Sequence, residues 1–216
     1  EDNNYLDISD FNSYMPNGDI SVAAWIYCNG MSQTSPYHKK PIFSTRPSAG
    51  NDGFTLQVLN DSSTTNKGIS LTNRNVNETF MTASNVIEGN SWHHIAFVNE
   101  QSNTNRFLYI DGNMIASNDN NNWLMNYSNI TCRIGHEANS SFYHQGMIED
   151  VRVYNKALSS HDVYSLYSDN TSHGLDIRSG LVGYYNMKIS SNAYLLQDIS
   201  SFENHGILIS MKSNNY

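Results

Sequence analysis

The stretch Gly146–Tyr167, GMIEDVRVYNKALSSHDVYSLY, decides the fold. It opens as a strand: Met147, Glu149, Val151 and Val153 fall on one face, and Ile148, Asp150, Arg152 and Tyr154 on the other. Neither face is purely apolar, so this strand is expected to border both the core and a partly wet surface. After Ala157 and Leu158, Ser159 has the chemistry of a helix N-cap. Asp162 stands three residues on, in the acceptor position of a capping box. Val163, Leu166 and Tyr167 then fall at i, i+3 and i+4, one narrow apolar stripe able to dock on a sheet. The stretch predicts a strand, a short loop and one short helix near 159–168.

Upstream, strand patterns alternate with turn residues. Asp19–Cys28 (DISVAAWIYC) is mostly apolar on both faces, as a central sandwich strand should be. Asn4–Ile8, Lys40–Thr45, Gly53–Leu59, Gly68–Thr72, Glu78–Thr82 and Ile130–Gly135 are shorter patterns. In Asn90–Val98 (NSWHHIAFV), Trp92, His94, Ala96 and Val98 share one face, and His93, Ile95 and Phe97 the other. Trp25 and Trp92, inside strong strands, read as core residues. Arg106–Ile110 runs into Asp111-Gly112, a pair that favours a type I′ hairpin turn, and Met114–Ala116 returns. Many short strands with a single short helix specify an all-β sandwich.

Composition narrows the function classes. The 216 residues suffice for one domain with a proper core. A formal net charge of −8, with no Lys/Arg run, argues against nucleic acid and against anionic membranes as partners. No stretch of 18 apolar residues is present, so no direct membrane insertion is expected. The chain begins with Glu1 and shows no signal peptide, which reads as a processed or excised segment. Six glycosylation sequons, at Asn60, Asn77, Asn126, Asn129, Asn139 and Asn170, permit a secreted glycoprotein. They do not show one, because Asn and Ser together make up roughly a quarter of the residues. Cys28 and Cys132 are too few for a zinc site of their own; one disulfide and two buried thiols both remain open.

The closing stretch, together with SVAAWI, SWHHIAFV, YIDGNMI and RIGHE in that order, resembles the laminin-G-like and pentraxin families. The resemblance covers about residues 4–168 and implies a concanavalin A-like jelly roll, a β-sandwich of two antiparallel sheets. It divides the chain into a jelly roll over 1–170 and a C-terminal strand segment over 171–216. Within that segment GLVGYYNM (Gly180–Met187) and Asp198–Leu208 resemble the pattern that usually begins such a domain. The segment either folds back to complete the same domain or starts a second repeat. Pentraxins carry a disulfide between the strands matching SVAAWIY and WHHIAFV; the matching positions here are Ala23 and Ala96, which could pack face to face.

The resemblance also implies a calcium site at one rim of the sandwich, built from separate loops. IGHEAN supplies Glu137 and Asn139, AGND supplies Asn51 and Asp52, and Gln145 belongs to the same rim. All are hard oxygen donors suited to Ca2+, although Ala138 stands where a further ligand could be. Trp123, Tyr143 and His144 are the candidate ligand-binding residues, with Tyr37 and His38 as similar loop positions. Trp123 reads either as a ring that stacks on a sugar or as an anchor for its loop.

Catalysis is disfavoured by spacing. Glucanases of this fold set carboxylates at alternating positions on one strand, so that both face one sugar. No Glu here has an Asp two residues later, and Glu149 and Asp150 are adjacent, on opposite faces. His93 and His94 are adjacent too, and cannot share one ion. No enzyme is expected, and no catalytic residue is assigned. The sequence reads as a non-catalytic recognition module at the cell surface or outside the cell. Its partner would be a glycan or an extracellular protein, with calcium as a candidate cofactor. The alternative is a structural repeat unit of a fibre or coat, which predicts self-association.

Overall fold

Apolar residues at every second position give each strand one face to bury, and two sheets pack on those faces. The structure, a computed structural model, describes residues 3–8, 18–28, 37–46, 53–61, 67–73, 78–83, 86–118, 131–138, 140–168, 177–187 and 195–211. Among them run fourteen strands and one α-helix. In order these are β1 (Asn3–Ile8), β2 (Ile20–Cys28), β3 (Tyr37–Ser44), β4 (Phe54–Asp61), β5 (Lys67–Asn73), β6 (Glu78–Ala83) and β7 (Trp92–Glu100). Then follow β8 (Asn105–Ile110), β9 (Asn113–Asn118), β10 (Cys132–Ile134), β11 (Gly146–Tyr154), α1 (Ser160–Ser168), β12 (Leu181–Tyr185), β13 (Leu195–Leu196) and β14 (Gly206–Met211).

The strands form an eight-stranded sheet in the order β13-β14-β1-β10-β3-β4-β5-β6, and a six-stranded sheet in the order β12-β11-β2-β7-β8-β9. All described pairings are antiparallel. Phe43 and Phe54 of one sheet meet Phe97 of the other, with ring centroids 6.0 Å and 5.2 Å apart along the series. Asp111 and Gly112 turn the β8–β9 hairpin with φ of 49° and 76°, the two positive values that a type I′ turn needs. The Asp111 carboxylate also accepts from the His94 backbone N–H and bonds the His93 ring, both at 2.8 Å.

The mixed faces of the Gly146–Tyr167 strand have a local cause. Before the break Ile148 pairs with Ile26 and Glu149 with Trp25; after it Arg152 pairs with Ala23 and Val153 with Val22. One extra residue enters β11, a bulge at which Asp150 adopts φ 51°. The bulge reverses the phase of the strand, so Ile148, Val151 and Val153 all face the core. The strict alternation expected from sequence therefore holds only on each side of Asp150. Asp150 accepts two hydrogen bonds from the Arg152 guanidinium, at 2.9 Å and 3.2 Å.

The helix is capped as its sequence predicts. Ser159 Oγ accepts from the Asp162 backbone N–H at 3.1 Å, and Asp162 Oδ2 accepts from the Ser159 backbone N–H at 3.0 Å. Val163 and Leu166 are buried on the outer face of the six-stranded sheet, against Ala23, Ala96, Val98 and Tyr109. Tyr167 stacks on Trp25 at 5.9 Å. Trp25 is thus on the outer face under α1, and Trp92 at the start of β7 is 37% exposed. The expectation that both tryptophans belong to the core is corrected: each has outer-face parity, and the helix reaches only Trp25.

The C-terminal segment adds strands to both sheets. β12 pairs with β11, while β14 lies between β1 and β13. A buried carboxylate ties these strands together. Asp198 accepts from the backbone N–H groups of Tyr184, Ser200 and Asn204 and from the Ser200 hydroxyl, at 2.7–2.9 Å. Cys28 and Cys132 are both buried and are not joined in a disulfide, and burial pushes the Cys132 thiol up.

Candidate ligand-binding face

Register builds a polar layer on the outer side of the eight-stranded sheet, buried at Ser44, Thr55, Thr72, Gln57 and Ser70 and partly exposed at Asp7 and Arg133. Asp7 pairs with Arg133, Arg133 with Ser44, Ser44 with Thr55, and Thr55 with Thr72, giving one row across β1, β10, β3, β4 and β5. Their neighbours Leu6, Ile134, Phe43, Leu56 and Leu71 belong to the core cluster, so the row itself points outward. Pro41, Gln57 and Ser70 form a second row beside it. On β1, β10, β4 and β5 these positions keep the strand alternation, whereas on β3 a register shift puts both Ile42 and Phe43 in the core between Pro41 and Ser44; locally each reads as an ordinary strand residue.

The rows are wired by hydrogen bonds. Thr55 donates its hydroxyl to Glu137 Oε1 at 3.2 Å, so in the 3.2 Å contact between Ser44 and Thr55 the donor is Ser44. Gln57 Nε2 donates to Ser70 and Thr72, at 3.2 Å and 2.9 Å, while its buried Oε1 accepts nothing from the described residues. Arg46 places its guanidinium 3.5 Å from the fully buried Glu137 carboxylate. The chain reaches Arg46 through a close approach of backbone: Thr45 and Phe54 exchange hydrogen bonds, and a Cβ on Gly53 (φ 87°) would lie 2.4 Å from the Thr45 carbonyl oxygen.

Aromatic rings flank the charged end of the row. His136 stacks on Tyr143 at 4.3 Å, and Tyr5 approaches His136 at 4.6 Å, with the Arg133 guanidinium 5.1 Å from the Tyr5 centroid. Arg133 can only donate, so His136 Nδ1 accepts its contact at 3.2 Å and Nε2–H donates to the Ser140 carbonyl. The ring is neutral in this arrangement. Burial lowers its pKa first, with Arg133 adding to that effect against the pull of Ser140, Glu137 and Asp7.

The sequence candidates divide among several environments. Glu137 and Tyr143 join this face. Gln145 is exposed, next to the start of β11. His144 is turned inward: both ring nitrogens are buried without a hydrogen-bond partner of good geometry, although backbone groups of Tyr27, Pro41 and Lys40 lie close. Burial, aided by Lys40, lowers its pKa to about 4. Tyr37 and His38, read as loop residues, begin β3. Trp123, Asn51, Asp52 and Asn139 lie outside the described residues. His136 and Tyr5 were missed; the RIGHE motif drew attention to Glu137, and strand parity alone does not bring β1 next to β10.

The described donors alone do not make a calcium site. Calcium takes six to eight oxygens, whereas Glu137 already faces a guanidinium and a hydroxyl, and Gln145 adds one exposed amide. Among the described residues no group of three or more His, Cys, Asp or Glu side chains converges on one point.

A family model of laminin G type, that of the concanavalin A-like lectin/glucanases superfamily, matches residues 1–164. The chain belongs to this superfamily. No curated protein matches it. Among solved structures it is similar in fold to a candidate carbohydrate binding protein from Bacteroides ovatus, with TM-score 0.63 and 13% identity. That match covers 99% of this chain and 58% of the Bacteroides protein, so the chain spans under two thirds of that relative. It is also similar to the heptameric SAP-like pentraxin from Limulus polyphemus, with TM-score 0.61 and 18% identity over 98% and 89% of the two chains. The CBM40 of a Ruminococcus gnavus IT-sialidase, solved with α2,3-sialyllactose, matches at TM-score 0.54 and 13% identity over 76% and 92%. At these identities the superfamily members share the fold.

Proposed function

We propose that this chain is a non-catalytic glycan-recognition module of the cell surface or extracellular space, and that it binds through the outer face of the eight-stranded sheet and the adjoining rim. The observation that carries the reading is the partly exposed end of the row, where Asp7 and Arg133 lie beside Tyr5 and Tyr143. Sugars offer hydroxyls to fixed polar groups and C–H faces to aromatic rings, and the partly exposed Asp7, Arg133, Tyr5 and Tyr143 present both. The nature of the structural neighbours supports it: one is described as carbohydrate binding, another was solved with sialyllactose. The two carboxylates of this face, Asp7 and Glu137, each sit against an arginine. Held as charged partners of Arg133 and Arg46, they position groups and are poorly placed to shuttle a proton.

A glycan array, run with wild-type protein and with Tyr143→Ala and Arg133→Ala, tests the proposal, once with calcium and once with a chelator. Binding by wild type that either substitution weakens at least tenfold supports it. Loss on chelation would bring calcium into the site with Asn51, Asp52, Glu137, Asn139 and Gln145 as its ligands; binding that survives removes the metal from the reading. No binding in either condition overturns the glycan assignment in favour of an extracellular protein partner.

One observation favours a second reading, a self-associating structural unit. Ile199, Phe202 and Ile207 are all exposed within one short stretch at β14 and the turn before it. Sedimentation over a range of concentrations tests it: a mass that stays monomeric throughout would sink this reading.

A further inference from the structure

A second surface lies on the other sheet of the sandwich, beyond the glycan reading and independent of it. Register sets Met147, Tyr27 and Trp92 side by side on the outer face of the six-stranded sheet, across β11, β2 and β7. The Tyr27 and Trp92 ring centroids are 5.6 Å apart. In the next row Tyr167 of α1 stacks on Trp25, but Trp92 stays 37% exposed and Met147 47% exposed. Large apolar side chains left open together, rather than singly, mark a contact surface.

Charge says what the partner carries. Glu149, the register neighbour of Trp25, is exposed two residues along β11 from Met147. On the other flank the Asp111 carboxylate accepts from the His94 N–H, and exposed Glu88 donates its backbone N–H to the His93 ring. No lysine or arginine occurs in residues 20–38, 84–105, 107–132 or 134–151, which supply the strands and the β8–β9 turn at this end. Arg152, the next cation along β11, is already held by the Asp150 carboxylate and lies over the Tyr184 ring. A guanidinium suits both features left open, because its flat face stacks on an indole and its N–H fork pairs with a carboxylate. Trp92 and Glu149 stand two strands apart, about 10 Å, a span that two arginines separated by one residue can reach. We propose that this surface docks an arginine-bearing segment of a basic protein partner, one guanidinium on Trp92 and a second on Glu149. The net charge of −8 draws such a partner in from a distance.

NMR titration of the whole chain with acetyl-Arg-Gly-Arg-amide tests this, beside the same peptide with citrulline in place of both arginines. Citrulline keeps the shape of arginine and removes its charge. The expected result is saturable shifts of the Trp92 indole N–H and the Met147 methyl. The arginine peptide should bind at least about fivefold more tightly than the citrulline peptide, and added salt should narrow that gap. Trp92→Ala and Glu149→Gln, both at exposed positions, should each weaken binding at least about threefold, read at the Met147 methyl. Equal affinity for the two peptides overturns the proposal. So does wild type whose Trp92 indole shifts with neither peptide, or only on addition of a sugar such as lactose. Unchanged affinity in either variant that keeps its folded spectrum overturns the contact assigned to that residue.

Discussion

Arg46 holds its guanidinium 3.5 Å from the carboxylate of Glu137, a residue with no exposure to solvent, at the edge of the candidate ligand face. The pair couples the end of β3 to the loop after β10, and Thr55 closes the link from β4. Glu137→Gln keeps the hydrogen-bond acceptor but loses the charge, and should cost about 2 kcal/mol. Arg46→Gln leaves a buried carboxylate without its guanidinium and should cost about 3 kcal/mol. Urea unfolding of both single variants and the double variant reads the coupling. Strictly additive losses would mean that the pair contributes nothing.

Ala23 and Ala96 are direct partners across β2 and β7, and both are buried beneath α1. Antiparallel partners have Cα atoms about 4.5–5.5 Å apart, within disulfide range. The double variant Ala23→Cys, Ala96→Cys should therefore oxidise to a disulfide. Closing a loop of that length should raise stability by up to about 4 kcal/mol. Mass spectrometry under oxidising conditions and the melting temperature with and without reductant check it. Thiols that stay reduced in air would show that the side chains diverge.

His94 is buried between Trp25 and Tyr167, at 5.4 Å and 6.2 Å. Burial lowers its pKa to about 4, against a raising effect from Asp111 and with a further lowering from Arg152. Between the ordinary imidazole pKa near 6.5 and 4, the unfolded chain binds a proton that the folded one refuses. Stability should fall through that window as pH drops, by about 1.4 kcal/mol per pH unit for this residue. His144, also near 4, adds the same dependence. Unfolding free energies at pH 7, 5.5 and 4.5 should show a shallower slope in His94→Phe; an unchanged slope would contradict the assignment.

Ser159 and Asp162 form the capping box of α1. Burial opposes the Asp162 charge, but hydrogen bonds from Ser159 outweigh it and set the pKa below the ordinary carboxylate value. Its contribution is therefore present at neutral pH and lost as pH falls through that lowered pKa. Ser159→Ala should cost about 1 kcal/mol at pH 7 and less at acid pH. Thermal melts of the two proteins at pH 7 and pH 3 check this, the expected sign being a narrowing gap.

Asp198 binds the turn before β14 to β12 through four accepted hydrogen bonds. Asp198→Ala leaves buried donors unmet and should cost about 3 kcal/mol. Limited proteolysis should then cut first within 188–205, ahead of the rest of the sandwich. Cleavage at the wild-type rate would show that the strand pairings alone hold the segment.

The sandwich, the helix and most strand identities are legible in the residues alone, because those rest on local signals. Alternation in DISVAAWIYC, the Asp111-Gly112 turn and the Ser159–Asp162 box each need only near neighbours in the chain. The sequence also singled out Glu137 and Tyr143 for the candidate site. The remaining features are properties of register between distant strands. The bulge at Asp150 reverses the phase of β11, yet nothing in GMIEDVRVY marks where an extra residue is absorbed. The partners Asp7, Arg133, Ser44, Thr55 and Thr72 come from strands far apart in sequence, and each reads locally as an ordinary polar position. His144 looks like a rim residue in a polar loop; the backbone instead turns its ring into the space between the sheets. Trp92 has the apolarity of a core residue, but the helix that covers Trp25 ends short of it. Local chemistry chose the elements, while long-range pairing chose which side chains meet.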